Sequence, residues 1–310
     1  MSRKPIGNLN ADRQRGQEPI RRIYLPAPLP QRPLSGHKGL FGRVLVVGGA
    51  HHMFGAAVLA GLAALRCGSG LVQIAVPEAV LSTAISAVPE LVGLPLTNAF
   101  TAGSRKELAA ALERADVVVV GPGMGVSATA VQRLRFIAES GRPCVIDADA
   151  LNALAAQGLT LLEPLRCPAV FTPHPGEMLR LGQRLGLEPA VVPEDETSRI
   201  HHAVIAARKL KHTVLLKGHR TVVSDGQRLY VNRTGDSSLS KAGAGDVLAG
   251  VIGSLMGQGM SAFDGACAAA WIHGRAGELA GAELGRRSAL ARDVIAQLGR
   301  AIAEYERRHA

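Results

Sequence analysis

The sequence predicts an α/β fold in which helices cover both faces of a mostly parallel sheet. Short, wholly apolar segments recur along the chain, and each is followed by a longer segment with the composition of a helix. Strands that are apolar throughout are typical of a parallel sheet whose two faces are both buried. Glycine, at 36 of 310 residues, clusters directly after these apolar segments. Such clustering is typical of α/β proteins whose strand-to-helix turns face phosphate groups.

The predicted strands and helices follow one another in a regular order. Val44–Val47 is the first buried strand, because this apolar run ends at a glycine pair, and the Ala- and Leu-rich segment 55–68 after it is helical. Segment 289–308 repeats apolar residues at helical spacing, so this last helix packs on the core. The same reasoning predicts further strands over 71–76, 117–120, 144–146, 169–171 and 213–216, a hairpin-like pair over 221–224 and 228–232, and helices over 81–87, 105–114, 128–140, 150–156, 196–211, 246–257 and 262–281.

The chain divides into a basic leader and one catalytic domain. Residues 37–310 show no composition break and no internal repeat, and single α/β domains often exceed 200 residues. Residues 1–36 are rich in proline, and their seven Lys/Arg against two acidic residues supply +5 of the net charge of +10. We expect residues 1–19 to be disordered and 20–36 to form an extended arm laid on the domain.

Composition excludes several classes of protein. The leader has no apolar segment of a secretory signal, and no uninterrupted apolar run reaches the ~18 residues of a membrane span. Basic residues without interleaved aromatic residues or a known motif argue against a nucleic-acid partner. The histidine pairs lack the spacing of a transition-metal site. The four cysteines, which form no C-x-x-C, are expected to fill the core in a reducing compartment, so we expect a cytoplasmic protein.

The Gly-rich turn at 242–246 is the strongest candidate for a functional site. It leads into the apolar run 247–252, so the free N–H groups of a helix start and the positive end of its dipole would cradle a phosphate. Asp246, at the lip of this cradle, would take a proton from a hydroxyl that meets the phosphate. The alternative is that Asp246 is an ordinary helix N-cap, but this does not explain the glycines before it.

Other candidate residues follow the carboxyl ends of predicted strands, where ligands of open α/β sheets bind. Two glycine-rich segments follow strands in this way, Gly48-Gly49 and Gly121–Gly125. Three polar residues do the same, namely Asp147, His174 and Lys217. Neither glycine motif fits the G-x-G-x-x-G fingerprint with an acidic residue ~20 positions on, which disfavours hydride transfer on a Rossmann domain.

Each polar segment that follows a predicted strand has two interpretations. Asp147 and Asp149 would contact Mg²⁺ or a hydroxyl, or Asp149 would cap the helix that follows. His174, held between two prolines, would touch a substrate or face solvent. The segment Lys217–Thr221 would bracket a nucleotide phosphate or ribose, or would be a turn between two edge strands.

Taken together these residues resemble the ribokinase-like superfamily and, more closely, the ADP-dependent NAD(P)H-hydrate dehydratase family. The resemblance covers roughly residues 37–305 and implies a three-layer α/β/α sandwich. The motifs that carry it, in chain order, are His37-Lys-Gly39 with Gly42-Arg43, Gly48-Gly49 with Gly55-Ala-Ala57, Gly121-Pro-Gly-Met-Gly125, Asp147-Ala-Asp-Ala-Leu-Asn152, Thr172-Pro-His-Pro-Gly-Glu177, Lys217-Gly218 and Gly243-Ala-Gly-Asp-Val-Leu248.

The resemblance implies a repair enzyme that acts on the S-form of hydrated NADH or NADPH. Phosphorylation of the ring hydroxyl by ADP (ATP in eukaryotic relatives) and elimination of phosphate would restore the reduced cofactor. Mg²⁺ is expected with the nucleotide, and no residue is assigned as its protein ligand. The implied catalytic residue is Asp246, the substrate contacts are Ala56, Gly125, His174 and Asp246, and the nucleotide contacts are Lys217, Gly218, His219, Arg220, Thr221 and Gly245.

Some features depart from the family or leave alternatives open. Lys241, in a segment unlike the family's before Asp246, would bind phosphate or face solvent. With only about 36 residues before the domain, no fused epimerase domain is expected, so a separate epimerase would be a partner. The Ala-rich helices favour a homo-oligomer. The alternative functions are a ribokinase-like kinase for a vitamin-precursor alcohol and a catalytically silent nucleotide sensor or basic-tailed binding protein.

Overall fold

A mixed sheet of ten strands forms the centre of the protein. The computed structural model describes residues 19–187 and 195–309. The strands are β1 Arg21–Ile23, β2 Arg43–Val47, β3 Leu71–Pro77, β4 Val92–Leu96, β5 Val117–Val120, β6 Cys144–Ile146, β7 Ala169–Phe171, β8 Thr213–Leu216, β9 Val222–Ser224 and β10 Arg228–Val231. Their order is β1-β10-β9-β8-β7-β6-β5-β2-β3-β4. Among these strands β9 is antiparallel to both neighbours, and the other pairs are parallel.

Helices cover both faces of this sheet, as the apolar strands predict. In β5, Val117 and Val119 belong to one hydrophobic core and Val118 and Val120 to the other, because successive side chains of a strand point to opposite faces. The first core is covered by α1 Phe54–Arg66, α2 Glu78–Ala87, α8 Ala244–Gly257, α9 Ala262–Leu284 and α10 Ala291–Arg307. The second is covered by α3 Ala102–Arg114, α4 Ala128–Glu139, α5 Asp149–Gln157, α6 Pro175–Leu185 and α7 Glu196–Leu210. The predicted α/β/α layering is therefore confirmed.

Three elements were not predicted from the sequence. The strand β4 contains Gly93 and Pro95, which are depleted in strands and are tolerated here because β4 lies at the edge of the sheet. The helix α6 begins at a Pro-Gly pair that resembles a turn, and its N-cap is His174, which is not a usual capping residue. The strand β1 lies in the leader and is only three residues long.

The arm between residues 19 and 36 lies against the body of the protein. Its strand β1 pairs with β10, so the sheet includes a segment that we assigned to the leader. Further along, the Ala27 carbonyl accepts a hydrogen bond from the Tyr305 hydroxyl at 2.6 Å, and the Arg32 guanidinium lies 3.7 Å from the centre of the Phe41 ring. Residues 1–18, for which disorder was expected, lie outside the described residues.

We expect Tyr305→Phe to loosen the attachment of the arm. The Tyr305 side chain is 1% exposed, and the variant leaves the Ala27 carbonyl without its donor at a cost of about 1 kcal/mol. The measurements are urea denaturation and the rate of proteolytic cleavage within residues 19–36. Cleavage at the wild-type rate would show that this hydrogen bond does not hold the arm.

The four cysteines, Cys67, Cys144, Cys167 and Cys267, are free and buried, as expected of residues that fill the core. None of the helices in the described part of the chain is both long and apolar enough to cross a membrane.

Candidate active site

The site lies at the carboxyl edge of the parallel strands, where three of them end in polar side chains. Asp147 follows β6, Thr172 follows β7 and Lys217 follows β8. These strands are neighbours in the sheet, so the three side chains meet. The Asp147 Oδ1 atom accepts a hydrogen bond from the Thr172 hydroxyl at 2.7 Å and another from the Lys217 ammonium at 2.8 Å.

The Gly-rich turn places the start of α8 beside this cluster. The helix begins at Ala244, two residues earlier than predicted, and its N-cap is Gly243, whose φ of +89° suits glycine. No side chain caps this end, so the first N–H groups of α8 lack intrahelical partners. Asp246 lies in the first turn, and the alternative interpretation of Asp246 as the N-cap is wrong. The helix start can therefore receive a phosphate, with a carboxylate next to it.

Asp246 has the most strongly perturbed carboxyl group of the site. Burial and, after it, the nearby Asp147 carboxylate raise its pKa to about 7, while the Lys217 ammonium acts in the opposite direction. A carboxyl group with a pKa near neutrality can accept a proton from a bound hydroxyl and later release it. This is the property expected of a general base.

Lys217 is held by carboxylates around it. Burial by itself lowers the pKa of its ammonium, but Asp147 and Glu177 more than compensate, so the pKa lies above its ordinary value. The Nζ atom is 3.7 Å from Glu177 Oε2, and the side chain is 17% exposed. The lysine is therefore a fixed positive charge at the edge of the sheet.

A cavity of about 350 Å³ opens between the β8–β9 loop and α8. The six residues predicted as nucleotide contacts, Lys217, Gly218, His219, Arg220, Thr221 and Gly245, all line it. The loop joins β8 to β9, which lie inside the sheet rather than at its edge. Lining residues that sequence reasoning missed come from the segment after β10, from α8 and from α9, and include Asn232, Thr234, Leu248 and His273. Asn232, Thr234 and His273 stand in no motif, whereas Leu248 ends the glycine-rich motif 243–248 but was given no role as a contact.

The predicted substrate contacts lie outside this cavity, around the Asp147–Lys217 pair. The Gly125 N–H donates to Asp149 Oδ2 at 2.8 Å, which links the loop after β5 to the start of α5. His174 caps α6, and its Nε2 atom is 3.4 Å from Glu177 Oε1. The residue His174 is exposed, and its ring accepts hydrogen bonds from the N–H groups of Gly176 and Glu177.

Ala56, another predicted substrate contact, lies in the first turn of α1. A Cβ on Gly123 would be 3.1 Å from the Ala56 Cβ, so this helix packs closely against the loop that contains Gly125. These contacts link α1 to the loop that contains Gly125, and this loop to the start of α5.

The structure also distinguishes between some of the alternatives. Asp149 is the first residue of α5, and its two carboxylate oxygens accept from the Gly125 N–H and the Asn152 amide. Ala148, between the two aspartates, has a φ of +49°. This conformation is unfavourable for alanine, and it turns the chain between the two aspartates. The N-cap of α5 is Ala148, and no side chain caps this helix, so the interpretation of Asp149 as the cap is wrong. Both aspartates accept hydrogen bonds from donors of the protein.

Lys241 does not belong to the site. Its ammonium donates to the Arg287 carbonyl at 2.6 Å, and the residue is exposed. This cation therefore ties the turn before α8 to the segment before α10.

The comparison with protein families agrees with this geometry. A family model described as NAD(P)H-hydrate dehydratase matches residues 44–300. The chain belongs to this family. The resemblance drawn from the motifs is thus confirmed.

Relatives of two lengths support the family membership. An ADP-dependent (S)-NAD(P)H-hydrate dehydratase from Neisseria meningitidis is 38% identical over 264 residues, which cover 83% of each chain. A bifunctional NAD(P)H-hydrate repair enzyme from Moorella thermoacetica is 43% identical over 275 residues, which cover 86% of this chain but 50% of the relative. The chain therefore spans about half the length of such bifunctional relatives.

Solved structures show the same fold. An ADP/ATP-dependent NAD(P)H-hydrate dehydratase from Bacillus subtilis, crystallised with ATP and Mg²⁺, has a TM-score of 0.76 and 29% identity, and the match covers 90% of this chain and 95% of that one. A ribokinase-like superfamily protein from Enterococcus faecalis has a TM-score of 0.74 and 25% identity, with coverage of 92% and 96%. The fold is therefore ribokinase-like.

Proposed function

We propose that this protein restores NADH or NADPH from the S-form of the hydrated cofactor, with ADP as phosphoryl donor. The observation that carries the proposal is the position of Asp246, a carboxyl group with a pKa of about 7 in the first turn of α8. It adjoins the cavity that the predicted nucleotide contacts line. The names of the relatives support the same reaction.

The proposed reaction has two steps, phosphoryl transfer and elimination. Asp246 takes the proton of the ring hydroxyl as its oxygen attacks the terminal phosphorus of ADP, which gives the phosphate ester and AMP. The ester C–O bond then breaks, inorganic phosphate leaves, and loss of a ring proton restores the dihydropyridine. The N–H groups at the start of α8 would stabilise the transferred phosphoryl group, with Lys217 beside them.

We propose that Ala56, Gly125 and His174, with Asp246, hold the hydrated cofactor. Residues Lys217, Gly218, His219, Arg220, Thr221 and Gly245 would hold the nucleotide, because together they line one cavity. Residues 37–310 would act as a single catalytic domain.

Mg²⁺ is proposed to enter with the nucleotide. No group of three or more His, Cys, Asp or Glu side chains among residues 19–187 and 195–309 is placed to hold a metal ion. Mg²⁺ often keeps several waters and takes phosphate oxygens as ligands, so the site fits an ion carried by the nucleotide. When bound, it would neutralise part of the phosphate charge.

The test is to follow absorbance at 340 nm while the purified protein meets NADPH hydrate, Mg²⁺ and either ADP or ATP. We expect the absorbance to rise and one phosphate to appear per NADPH formed. A stable phosphorylated product would instead favour the kinase alternative, for which a hydroxyethylthiazole kinase from Pyrococcus horikoshii provides likeness of fold alone, with 20% identity and a TM-score of 0.61.

We further propose a separate epimerase as a partner, a homo-oligomeric state and a cytoplasmic location. Relatives that are named bifunctional NAD(P)H-hydrate repair enzymes support the first of these, because their names give them a second repair activity. The Ala-rich helices of the sequence support the second. The buried free cysteines support the third. Light scattering of the purified protein measures the oligomeric state.

A further inference from the structure

The Lys217 ammonium lies between a buried carboxylate and the start of α8. On one side, its Nζ atom is 2.8 Å from Asp147 Oδ1. On the other, Nζ is 3.4 Å from the position that a Cβ on Gly245 would occupy. The cation therefore rests against the first turn of α8, next to Asp246 in the chain and next to the place where phosphate would bind.

Asp147 is itself held rigidly. Its residue is 1% exposed, and the same Oδ1 atom accepts from the Thr172 hydroxyl at 2.7 Å. The backbone on both sides is fixed, because the Asp147 N–H donates to the Val120 carbonyl at 3.1 Å and the Lys217 N–H donates to the Pro173 carbonyl at 2.8 Å. Because the Asp147 carboxylate is held in one orientation, it holds the Lys217 ammonium in one position.

The charges around Asp246 make this position important. Three other carboxylates, those of Asp147, Asp149 and Glu177, act to keep a proton on Asp246, and the Lys217 ammonium opposes them. Phosphate groups bound at α8 would add more negative charge. A carboxyl group surrounded by like charges takes up a proton and can no longer accept one.

Other titratable groups near this cluster do not replace Lys217. The His273 imidazole on α9 is kept neutral because burial lowers its pKa to about 4. The Arg199 guanidinium on α7 points to the carbonyls of Leu216 and Lys217, at 3.2 and 3.0 Å. The His174 ring on α6 lies against Glu177.

We propose that Asp147 is a positioning residue, which holds the Lys217 ammonium against the first turn of α8, where this cation offsets the negative charge of the carboxylates around Asp246 and of a bound phosphate. Lys217 thereby has a second role besides the nucleotide contact. That the proton comes from the ring hydroxyl rests on the proposed function. The electrostatic effect of Asp147 and Lys217 on Asp246 needs no ligand.

The direct test is a ¹³C NMR titration of the full chain labelled at aspartate Cγ, without nucleotide or substrate. The Asp246 signal is identified by its absence in Asp246→Asn. Lys217→Met should move its midpoint upward by more than about one pH unit, because an adjacent cation is lost. Asp147→Asn should move it downward, because a negative neighbour is lost while the amide oxygen still accepts from Lys217.

Two more variants complete the design. Lys106→Met removes an exposed lysine on α3 and should leave the midpoint at the wild-type value. Thr172→Val keeps every charge and removes the second hydrogen bond to Asp147, together with a 3.4 Å contact between the same hydroxyl and the Ile146 carbonyl. It therefore tests the positioning even if Lys217→Met fails to fold. It should move the Asp246 midpoint upward, because a less firmly held Asp147 holds the Lys217 ammonium less firmly against α8. Equal midpoints in all folded variants, or shifts of Lys217→Met and Asp147→Asn in the same direction, would overturn the proposal.

The pH dependence of kcat provides the second readout. At saturating ADP and NADPH hydrate, the acidic limb should move in the same two opposite directions, which a merely structural defect would not produce. If the wild-type protein does not act on NADPH hydrate, the proposed function fails, while the NMR titration still decides this inference.

Discussion

Asp246→Asn is expected to lower turnover of NADPH hydrate by between about 10²- and 10⁴-fold, because a positioned general base contributes that much. The amide keeps the size of the side chain but cannot take the proton of the hydroxyl. ADP affinity should stay within a few-fold of the wild-type value, since the cavity lining does not include Asp246. The measurements are kcat at 340 nm and calorimetric titration with ADP.

The same variant should be more stable than the wild-type protein at pH 8. In the folded protein the pKa of Asp246 is raised from 3.8 to about 7, so the folded state binds the proton more tightly than the unfolded state. Stability therefore falls as the pH rises from about 4 to about 7, and the penalty is complete above 7. Replacement by Asn removes a penalty on the order of 1–3 kcal/mol.

Thermal unfolding at pH 8 and pH 5.5 checks this sign. The melting temperature of Asp246→Asn should exceed that of the wild-type protein at pH 8, and the difference should shrink at pH 5.5. A variant that is less stable at pH 8, or whose advantage grows at low pH, would contradict a strongly raised pKa. Full activity in Asp246→Asn would remove this residue from the catalytic role.

Gly121→Ala is expected to have the largest effect on stability. At Gly121, φ is +120°, and an added Cβ would lie 1.8 Å from the Asp147 carbonyl oxygen and 2.9 Å from the Ala150 Cβ. The end of β6 would have to move, and Asp147 would move with it. We expect a loss of about 3 kcal/mol or more from strain and overpacking, and a fall in activity that exceeds the loss of folded protein.

Gly141→Ala is the matched control. Its φ of +72° is also positive, but nothing lies within 4 Å of the added Cβ. This variant should lose only about 1–2 kcal/mol and keep wild-type kcat. Urea denaturation of both variants separates the strain of the backbone from the clash. Equal stabilities would mean that the loop after β5 does not approach β6 as closely as described.

The sequence predicts the elements whose signal is local and strong. The strand β5 is four consecutive valines, and α10 repeats its apolar residues at helical spacing, so both were found. The helix α6 was missed because histidine is an unusual N-cap. The His174 ring accepts from the N–H groups of Gly176 and Glu177, within a Pro-His-Pro-Gly segment that resembles a turn. The strand β4 was missed because tolerance of Pro95 depends on its edge position, which no local pattern shows.

The site shows the same division. Asp246 and the β8–β9 loop stand in Gly-rich or strand-exit motifs, and they were identified from the sequence. Thr172 was not, because its importance comes from the hydrogen bond to Asp147, 25 residues away in the chain. His273 lines the nucleotide cavity but lies within an apolar helix, where its type and spacing predict only a buried core residue. Site residues that depend on contacts between distant strands and helices therefore could not be identified from motifs.

The most direct test of the proposed reaction follows the oxygen of the substrate hydroxyl. NADPH hydrate prepared with ¹⁸O at the ring hydroxyl is incubated with the protein, Mg²⁺ and ADP, and the products are examined by mass spectrometry. If the hydroxyl is phosphorylated before it leaves, the label is found in inorganic phosphate, with AMP formed in equal amount. Label in water with ADP unconsumed would contradict phosphoryl transfer, and with it the role assigned to Asp246 and the start of α8.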